Sequence, residues 1–191
     1  MTDRIARKPH GKSARETYGA ADAHSFTWEP VLEALELGPA DRLLDVGCGG
    51  GVFLRHAHAQ TGCTVIGVDH SREMVRLARP LAVQGEAEQL PFKDGEFTAV
   101  SSIVAFFFFP DAVHALREMR RVLAPQGGRL AIYTTSPEAK GTMAAPYPLA
   151  TRGHFYTDEE LQNLALEAGF STAWVTRPDE SGWAQLLAAQ P

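Results

Sequence analysis

Short apolar runs alternate with helical patterns along most of the chain. Runs rich in Val, Ile and Leu that lead into turns predict strands, and apolar side chains spaced three and four apart predict helices. The predicted strands cover residues 42–46, 64–68, 82–84, 98–103, 129–134, 173–176 and 183–188, and the predicted helices between them cover 51–60, 71–78 and 111–123. Such alternation indicates a parallel sheet with helices on both faces, because parallel neighbours need a crossover connection.

Capping residues mark the first and last predicted helices. Thr27 can cap a helix that carries Pro30 in its first turn, where a missing N–H does no harm. Thr157 and Glu160 have the spacing of a capping box at the start of the last helix. The segment between residues 136 and 156 is rich in Pro and Gly, and its length predicts a loop that serves as a functional cover at the edge of the sheet.

The composition is that of a folded domain with a separate basic arm. The chain has 191 residues, of which 45% are hydrophobic and 21% charged, and this describes one globular domain with one core. The first fifteen residues carry five basic side chains and few apolar ones. We therefore expect residues 1–25 to form a flexible basic arm that helps to cover the substrate, and residues 26–191 to form a single domain.

The charge and cysteine content exclude several classes of function. A net charge of −5 argues against a protein that grips nucleic acid, and no apolar run is long enough to span a membrane. Cys48 and Cys63 have neither metal-ligand nor redox spacing, so we expect no metal and a reducing cytoplasmic location. The pattern leaves open whether the chain is a monomer or a homodimer.

A glycine-rich turn follows the first predicted strand. The sequence LLDVGCGGG at residues 43–51 leads from a buried strand into a helix, which is where backbone closely approaches a ligand. The spacing fails the dinucleotide fingerprint G-x-G-x-x-G, because Val52 replaces the third glycine. Asp45 would also repel a diphosphate, since like charges about 4 Å apart cost roughly 4 kcal/mol at an effective dielectric near 20. This turn therefore favours a ligand with cationic groups.

Two further carboxylates follow the next two strands. Asp69 ends the second strand, where an acid accepts hydrogen bonds from ribose hydroxyls in doubly wound sheets. Glu86 follows the third strand, and a carboxylate can accept a hydrogen bond from an exocyclic amine such as that of adenine. Together with Asp45, these residues point to one ligand that combines a ribose, an amino-purine and a positive group.

Four motifs resemble those of the class I S-adenosylmethionine-dependent methyltransferases, in particular the small-molecule, type 11-like branch. They are LLDVGCGGG, VIGVDHSREM, GEAEQLPF and FTAVSSIVAFFFFPD, and the likeness covers about residues 30–190. The resemblance implies a Rossmann-like, doubly wound α/β sheet of about seven strands, mostly parallel with an antiparallel C-terminal strand and with helices on both faces. It also implies S-adenosylmethionine as the methyl donor, S-adenosylhomocysteine as the product, and no metal.

The resemblance assigns a part of the donor to each motif. The ribose would contact Asp69. The adenine would contact His70, Met74, Glu86 and Ala87. The methionine portion would contact Asp45, Gly47, Cys48, Gly49, Gly51 and Ser102. Many relatives have Asp at the position of Glu86, so its contact with adenine would be shifted or bridged by water. Thr98 stands where Asp is common, a difference that we expect to be structural.

The acceptor side is less defined by the sequence. His24 and His154 are candidate general bases or substrate contacts, and Tyr18, Tyr147, Phe106 and Phe107 are candidate substrate contacts. One or two of the four phenylalanines at 106–109 would contact a small, partly apolar acceptor, and the others would be core. The reaction would place a methyl group on an O, N or C atom of this acceptor by in-line displacement.

Two other functions remain open at this point. The chain could be a catalytically silent relative that binds the same cofactor, because a conventional base is missing. A nicotinamide-dependent oxidoreductase is less favoured, since it rests on the fold alone and conflicts with Asp45 and Val52. A nucleic-acid methyltransferase is disfavoured because residues 101–104, Ser-Ser-Ile-Val, do not resemble the motif of enzymes that methylate base amines.

Overall fold

The structure is a computed structural model, and it describes residues 24–147 and 149–191. Residues 1–23 of the expected basic arm, which include Tyr18, therefore lie outside the described residues. No helix among the described residues has the length and apolar character needed to cross a membrane.

Seven strands form one sheet in the order β3-β2-β1-β4-β5-β7-β6. Strand β7 is antiparallel to both of its neighbours, and the other strands run parallel to one another. The predicted doubly wound sheet with an antiparallel C-terminal strand is thus confirmed. The strands are β1 (Arg42–Val46), β2 (Thr64–Asp69), β3 (Ala82–Gln84), β4 (Ala99–Ile103), β5 (Arg129–Thr135), β6 (Thr172–Thr176) and β7 (Ala184–Gln190).

Five α-helices cover the two faces of this sheet: α1 (Trp28–Leu35), α2 (Val52–Thr61), α3 (Arg72–Ala78), α4 (Ala112–Val122) and α5 (Asp158–Glu167). Helices α4 and α5 pack on one face through residues such as Leu116 and Leu161, which belong to the larger cluster of buried side chains. Helices α1 and α2 pack on the opposite face through Val31 and Phe53. The core therefore has two layers separated by the sheet.

Most helix ends agree with the capping residues of the sequence. Thr157 and Glu160 form a complete capping box at α5, and the Ser71 hydroxyl accepts a hydrogen bond from the first turn of α3. Thr27 lies at the predicted start of α1, but its hydroxyl donates to the backbone oxygen of His24 instead of capping the helix. The reason is that residues 25–27 form a 3-10 turn ahead of α1.

Polar side chains lock the amino ends of the central strands. The Thr98 hydroxyl donates to Asp41 at 2.6 Å and accepts a hydrogen bond from the backbone N–H of Arg42 at 2.9 Å. Arg129 at the start of β5 forms an ion pair with the same Asp41 carboxylate. Thr98 thus links β1, β4 and β5 at this edge, which agrees with the structural role expected for it.

The predicted cover, residues 136–156, contains two 3-10 turns at residues 137–139 and 149–151. The ring of Phe155 stacks on Phe107, with centroids 5.6 Å apart and planes inclined by 10°. The backbone N–H of His154 donates to the Phe107 oxygen at 2.8 Å. The end of the cover is therefore fastened to the segment that follows β4.

Candidate functional site

The glycine-rich turn lies at the carboxyl edge of the sheet, between β1 and α2. Strands β2 and β4 flank β1 on either side, and the strand order reverses between β1 and β4. Ligands of doubly wound sheets bind in the crevice at such a reversal. The three acids named by the sequence all lie at this edge: Asp45 in β1, Asp69 at the end of β2 and Glu86 after β3.

The Asp69 carboxylate ties the turn to the neighbouring strand. One oxygen accepts the backbone N–H of Gly49 at 2.9 Å, and the other accepts the N–H of Ser71 at 2.8 Å. Burial, together with the charge of Glu86, raises the pKa of Asp69, while the two backbone hydrogen bonds oppose that rise. Each oxygen retains a lone pair that could accept a ribose hydroxyl.

The Asp45 carboxylate is 2% exposed and has a different environment. Its Oδ1 accepts a hydrogen bond from the Ser101 hydroxyl at 2.8 Å across the pairing of β1 with β4. Burial raises the pKa of Asp45 to about 7, the Ser101 hydrogen bond lowers it, and the charge of Asp69 adds to the rise. This carboxylate is the group in the turn that a cationic partner would stabilise most.

An open cavity of about 660 Å³ lies over the carboxyl ends of β2 and β3. Its polar wall contains Asp69, His70 and Glu86, and its apolar wall contains Phe108 and Phe109. The Nε2 atom of His70 is buried without a hydrogen-bond partner in the described part of the chain. Ala87, also predicted to contact adenine, lines the same cavity.

A second cavity, of about 420 Å³, lies over Asp45. Its lining includes the turn residues Gly47, Cys48 and Gly49, and His24 lies on its wall. Gly47 lines both cavities, so the two meet at the turn. Burial lowers the pKa of His24, and its ring is therefore neutral at pH 7.

The backbone of the turn leaves no room for larger residues. Gly47 has φ of 80°, and a Cβ built there would lie 2.5 Å from the Cβ of Ala105. On β2, a Cβ at Gly67 would lie 2.5 Å from the Cys48 sulfur, which packs against that strand. Burial raises the pKa of the Cys48 thiol well above its ordinary value. Cys48 is thus a small buried residue that fills the turn.

Ser101, rather than Ser102, is the serine that contacts Asp45. Successive residues of a strand point to opposite faces, so Ser102 points away from Asp45. Ser102 is fully buried, and its hydroxyl has no hydrogen-bond partner among residues 24–147 and 149–191. The expectation that Ser102 contacts the methionine portion therefore does not agree with its position, and Ser101 is the serine that contacts Asp45.

Gly51 and Met74 do not line either cavity. Gly51 begins α2 with φ of 71°, and its Cα packs near Ala78 of α3. Met74 is fully buried in α3. Both have a supporting position behind the turn, and their contact with the donor stays a prediction.

The four consecutive phenylalanines separate into core and cavity residues. Phe106 is fully buried among the side chains of the larger core cluster, and Phe107 is 2% exposed in its stack with Phe155. Phe108 and Phe109 line the first cavity. The prediction named Phe106 and Phe107 for contact with the acceptor, whereas the 3-10 turn at residues 106–108 sends these two rings inward and leaves Phe108 and Phe109 at the cavity.

The remaining predicted residues lie on the cover. His154 is exposed, and its contact with the segment after β4 is made by its backbone N–H. Tyr147 is 69% exposed and lies near Gly141 within the cover. Neither residue lines the two cavities, so of the two candidate bases His24 alone is placed beside Asp45.

The chemistry of the combined cleft fits a cationic nucleoside. Its lining contains four carboxylates, those of Asp45, Asp69, Glu86 and Glu88, and neither Lys nor Arg among the described residues. The same part of the chain contains no group of three or more His, Cys, Asp or Glu that could hold a metal. Buried carboxylates without basic neighbours disfavour a diphosphate and favour a positively charged group.

Comparisons with known proteins agree with this geometry. Residues 44–132 match a family described as a methyltransferase domain. The chain is 35% identical over 123 residues to methyltransferase GfsG of Streptomyces halstedii, covering 59% of this chain and 44% of that protein. It is 37% identical over 124 residues to a demethylmenaquinone methyltransferase of Thermus thermophilus, covering 60% and 56%. The chain thus spans about half the length of the curated relatives that it matches.

A solved structure resembles almost the whole fold. It is an S-adenosylmethionine-dependent methyltransferase of Thermotoga maritima, described as a possible histamine N-methyltransferase. The TM-score is 0.70 at 26% identity, and the match covers 87% of this chain and 90% of that one. The strand order, the acids at the carboxyl edge and these similarities resemble those of class I S-adenosylmethionine-dependent methyltransferases.

Proposed function

We propose that this chain transfers the methyl group of S-adenosylmethionine to an O, N or C atom of a small, partly apolar metabolite. The observation that carries the proposal is the cleft at the carboxyl edge, in which Asp45, Asp69 and Glu86 lie with no lysine or arginine among the described residues that line it. When bound, S-adenosylmethionine supplies a methyl group on a positively charged sulfur that is already activated for displacement. The residues of this chain need only hold and align the reactants.

Each end of the cleft suits one end of the donor. Asp45 in the second cavity would receive the amino group of the methionine portion, beside the backbone of Gly47 and Gly49. Asp69 in the first cavity would accept the ribose hydroxyls, next to the ring of His70. Glu86, which is exposed at the rim, would accept a hydrogen bond from the adenine amine.

Apolar side chains near the cleft suit a partly apolar acceptor. Phe108 and Phe109 form one wall of the first cavity. The three most exposed large hydrophobic side chains of the described residues are Phe26 just ahead of α1, and Met143 and Tyr147 on the cover. Exposed apolar groups of this size on loops beside a site commonly contact a ligand.

His24 is the residue best placed to take up a proton. It lies in the second cavity with Asp45, and burial keeps its ring neutral near pH 7. A neutral imidazole can accept the proton of a hydroxyl acceptor, whereas an amine acceptor would need no base on the protein. We assign His24 this role for a hydroxyl acceptor. His154 on the cover would then contact the acceptor without moving a proton.

Titration calorimetry with S-adenosylmethionine and S-adenosylhomocysteine tests donor binding. We expect saturable binding of both at sub-millimolar concentration, and its absence would end the proposal. Binding of NADH in place of both would establish a nicotinamide-dependent enzyme instead.

A screen of metabolite extracts with isotopically labelled donor tests the reaction itself. We expect label in a small, partly apolar compound. Donor binding without label in any acceptor would favour the silent, cofactor-binding alternative.

With the acceptor known, His24→Gln should lower kcat about 100-fold for a hydroxyl acceptor, in line with the usual contribution of a general base. The variant His154→Gln serves as the matched comparison and should change kcat little.

A further inference from the structure

We propose that Ser101 is a positioning residue, which holds the Asp45 carboxylate in the orientation that receives the amino group of the donor. This inference rests on the proposed function. Ser101 touches neither donor nor acceptor in this assignment and acts through Asp45.

The geometry places the two residues directly opposite each other. Asp45 and Ser101 are register partners in the parallel pairing of β1 with β4. Ser101 is fully buried, Asp45 is 2% exposed, and the hydroxyl lies 2.8 Å from Oδ1. Two well-packed central strands fix both backbones, so the hydrogen bond sets the rotation of the carboxylate about its Cβ–Cγ bond. The other oxygen keeps its lone pairs for a ligand in the second cavity, which Asp45 lines.

The surroundings of Asp45 make this hydrogen bond important. Burial favours the neutral carboxyl, and the Asp69 carboxylate on β2 adds to that preference. His24, ahead of α1, faces the same cavity with a neutral ring, and the thiol of Cys48 in the turn is held protonated. Arg55 of α2 is the nearby cation that acts on Cys48. The Ser101 hydroxyl, by contrast, favours the ionised carboxylate that an ammonium group requires.

The adjacent serine provides a matched comparison. Ser102 is equally buried, but its hydroxyl has no partner in the described part of the chain. Changing either serine to Ala removes the same atom from the same strand. Only one of the two changes removes a hydrogen bond to Asp45.

The experiment measures binding of two ligands by calorimetry. S-adenosylhomocysteine carries the amino acid portion, and 5′-methylthioadenosine lacks it. We expect Ser101→Ala to lower the affinity for S-adenosylhomocysteine about 10- to 100-fold, which is the usual effect of losing a hydrogen bond to a charged group. The affinity for 5′-methylthioadenosine should stay within about twofold, and Ser102→Ala should bind both ligands like the wild type.

A pH series separates positioning from a merely structural role. The affinity of the wild type for S-adenosylhomocysteine should rise about tenfold per pH unit up to pH 7 and then level off, as Asp45 ionises. In Ser101→Ala, the pH at which the affinity for S-adenosylhomocysteine stops rising should be higher by about one unit. Binding of 5′-methylthioadenosine should not follow either profile.

Several results would overturn the inference. The first is that Ser101→Ala binds S-adenosylhomocysteine as the wild type does, and the second is that it loses the same affinity for both ligands. The third is that the pH dependence of S-adenosylhomocysteine binding is unchanged in Ser101→Ala, and the fourth is that Ser102→Ala weakens this binding more than Ser101→Ala does. If thermal unfolding shows that Ser101→Ala does not fold, Ser101→Cys replaces it. The cysteine side chain has a similar size, but its thiol is a weaker hydrogen-bond donor, and the same criteria apply to this variant. Failure of the wild type to bind either ligand would contradict the proposed function itself, and so is distinguishable from failure of this inference.

Discussion

Asp45 and Asp69 are the same residue type on adjacent parallel strands, yet the fold uses them differently. Both oxygens of Asp69 accept hydrogen bonds from backbone N–H groups, those of Gly49 and Ser71, so the backbone itself holds this carboxylate in place. Asp45 has one hydroxyl partner, and burial raises its pKa to about 7. The difference shows that Asp69 organises the turn, and in the proposed function the ammonium group of the donor would complete the environment of Asp45.

The largest expected effect comes from Asp45→Asn, which removes the charge but keeps the shape. Donor affinity should fall about 30- to 1000-fold, because a buried ammonium group would lose its partner. Calorimetry with S-adenosylhomocysteine measures this loss. Wild-type affinity in the variant would mean that Asp45 does not bind the donor, and the contrast with Asp69 would disappear.

The same variant should be more stable than the wild type in the absence of ligand at pH 8. The folded pKa of Asp45 is raised from 3.8 to about 7, so its stabilising contribution is present below pH 3.8 and is lost as pH rises through 7. Asn carries no such dependence, and we expect a gain of about 2–4 kcal/mol in the free energy of unfolding at pH 8. Urea unfolding at pH 5 and pH 8 checks the sign, since the gain should be smaller at pH 5.

Asp69→Asn should change stability in the opposite direction. The amide has one acceptor oxygen and would turn its NH₂ toward one of the two backbone donors. We expect a loss of about 1–3 kcal/mol in the free energy of unfolding, as for other buried donors left without a partner. Urea unfolding at pH 7 measures this loss, and unchanged stability would show that the backbone hydrogen bonds of Asp69 do not organise the turn.

A smaller effect is expected at the cover, because none of its described residues lines either cavity. Phe155→Ala removes the stack on Phe107, worth about 0.5–1.5 kcal/mol. Trypsin cleavage at the exposed Lys140 and Arg152 should accelerate about 2- to 10-fold, because the cover opens more often. Donor affinity should stay within about twofold. A large loss of donor binding would show that the cover and the aspartates are coupled.

The smallest effect is expected at the third acid. Glu86 is exposed at the cavity rim, and exposed charges contribute little because water and salt screen them. Glu86→Gln should weaken S-adenosylhomocysteine by no more than about fivefold. A loss as large as that in Asp45→Asn would mean that exposure does not decide the importance of these acids.

The sequence predicted the acids of the site but not the residues behind them. Asp45 and Asp69 could be placed at one edge because each ends a recognisable apolar strand, and parallel strands share their carboxyl edge. The choice between Ser101 and Ser102 could not be made in the same way. Strand β4 is buried on both faces, so it lacks the alternation that would show which serine faces Asp45.

Which of the phenylalanines line the cavity could not be predicted for a related reason. Four identical side chains at residues 106–109 carry no periodicity, and the 3-10 turn that divides them has no signal in their composition. The double role of Asp69 also escaped prediction, because backbone hydrogen bonds to a side chain depend on the exact path of the turn. The helix caps, by contrast, depend on neighbours along the chain, and the Thr157–Glu160 pair was therefore recognisable.

The link among Asp41, Thr98 and Arg129 has a practical consequence for protein engineering. It fastens the central strands at the end of the sheet remote from both cavities, so the framework does not depend on the loops that face the acceptor. Libraries that vary residues 136–156 could therefore be screened for new acceptors while the strands keep their alignment. The amino ends of the central strands would keep their positions in every variant of such a library.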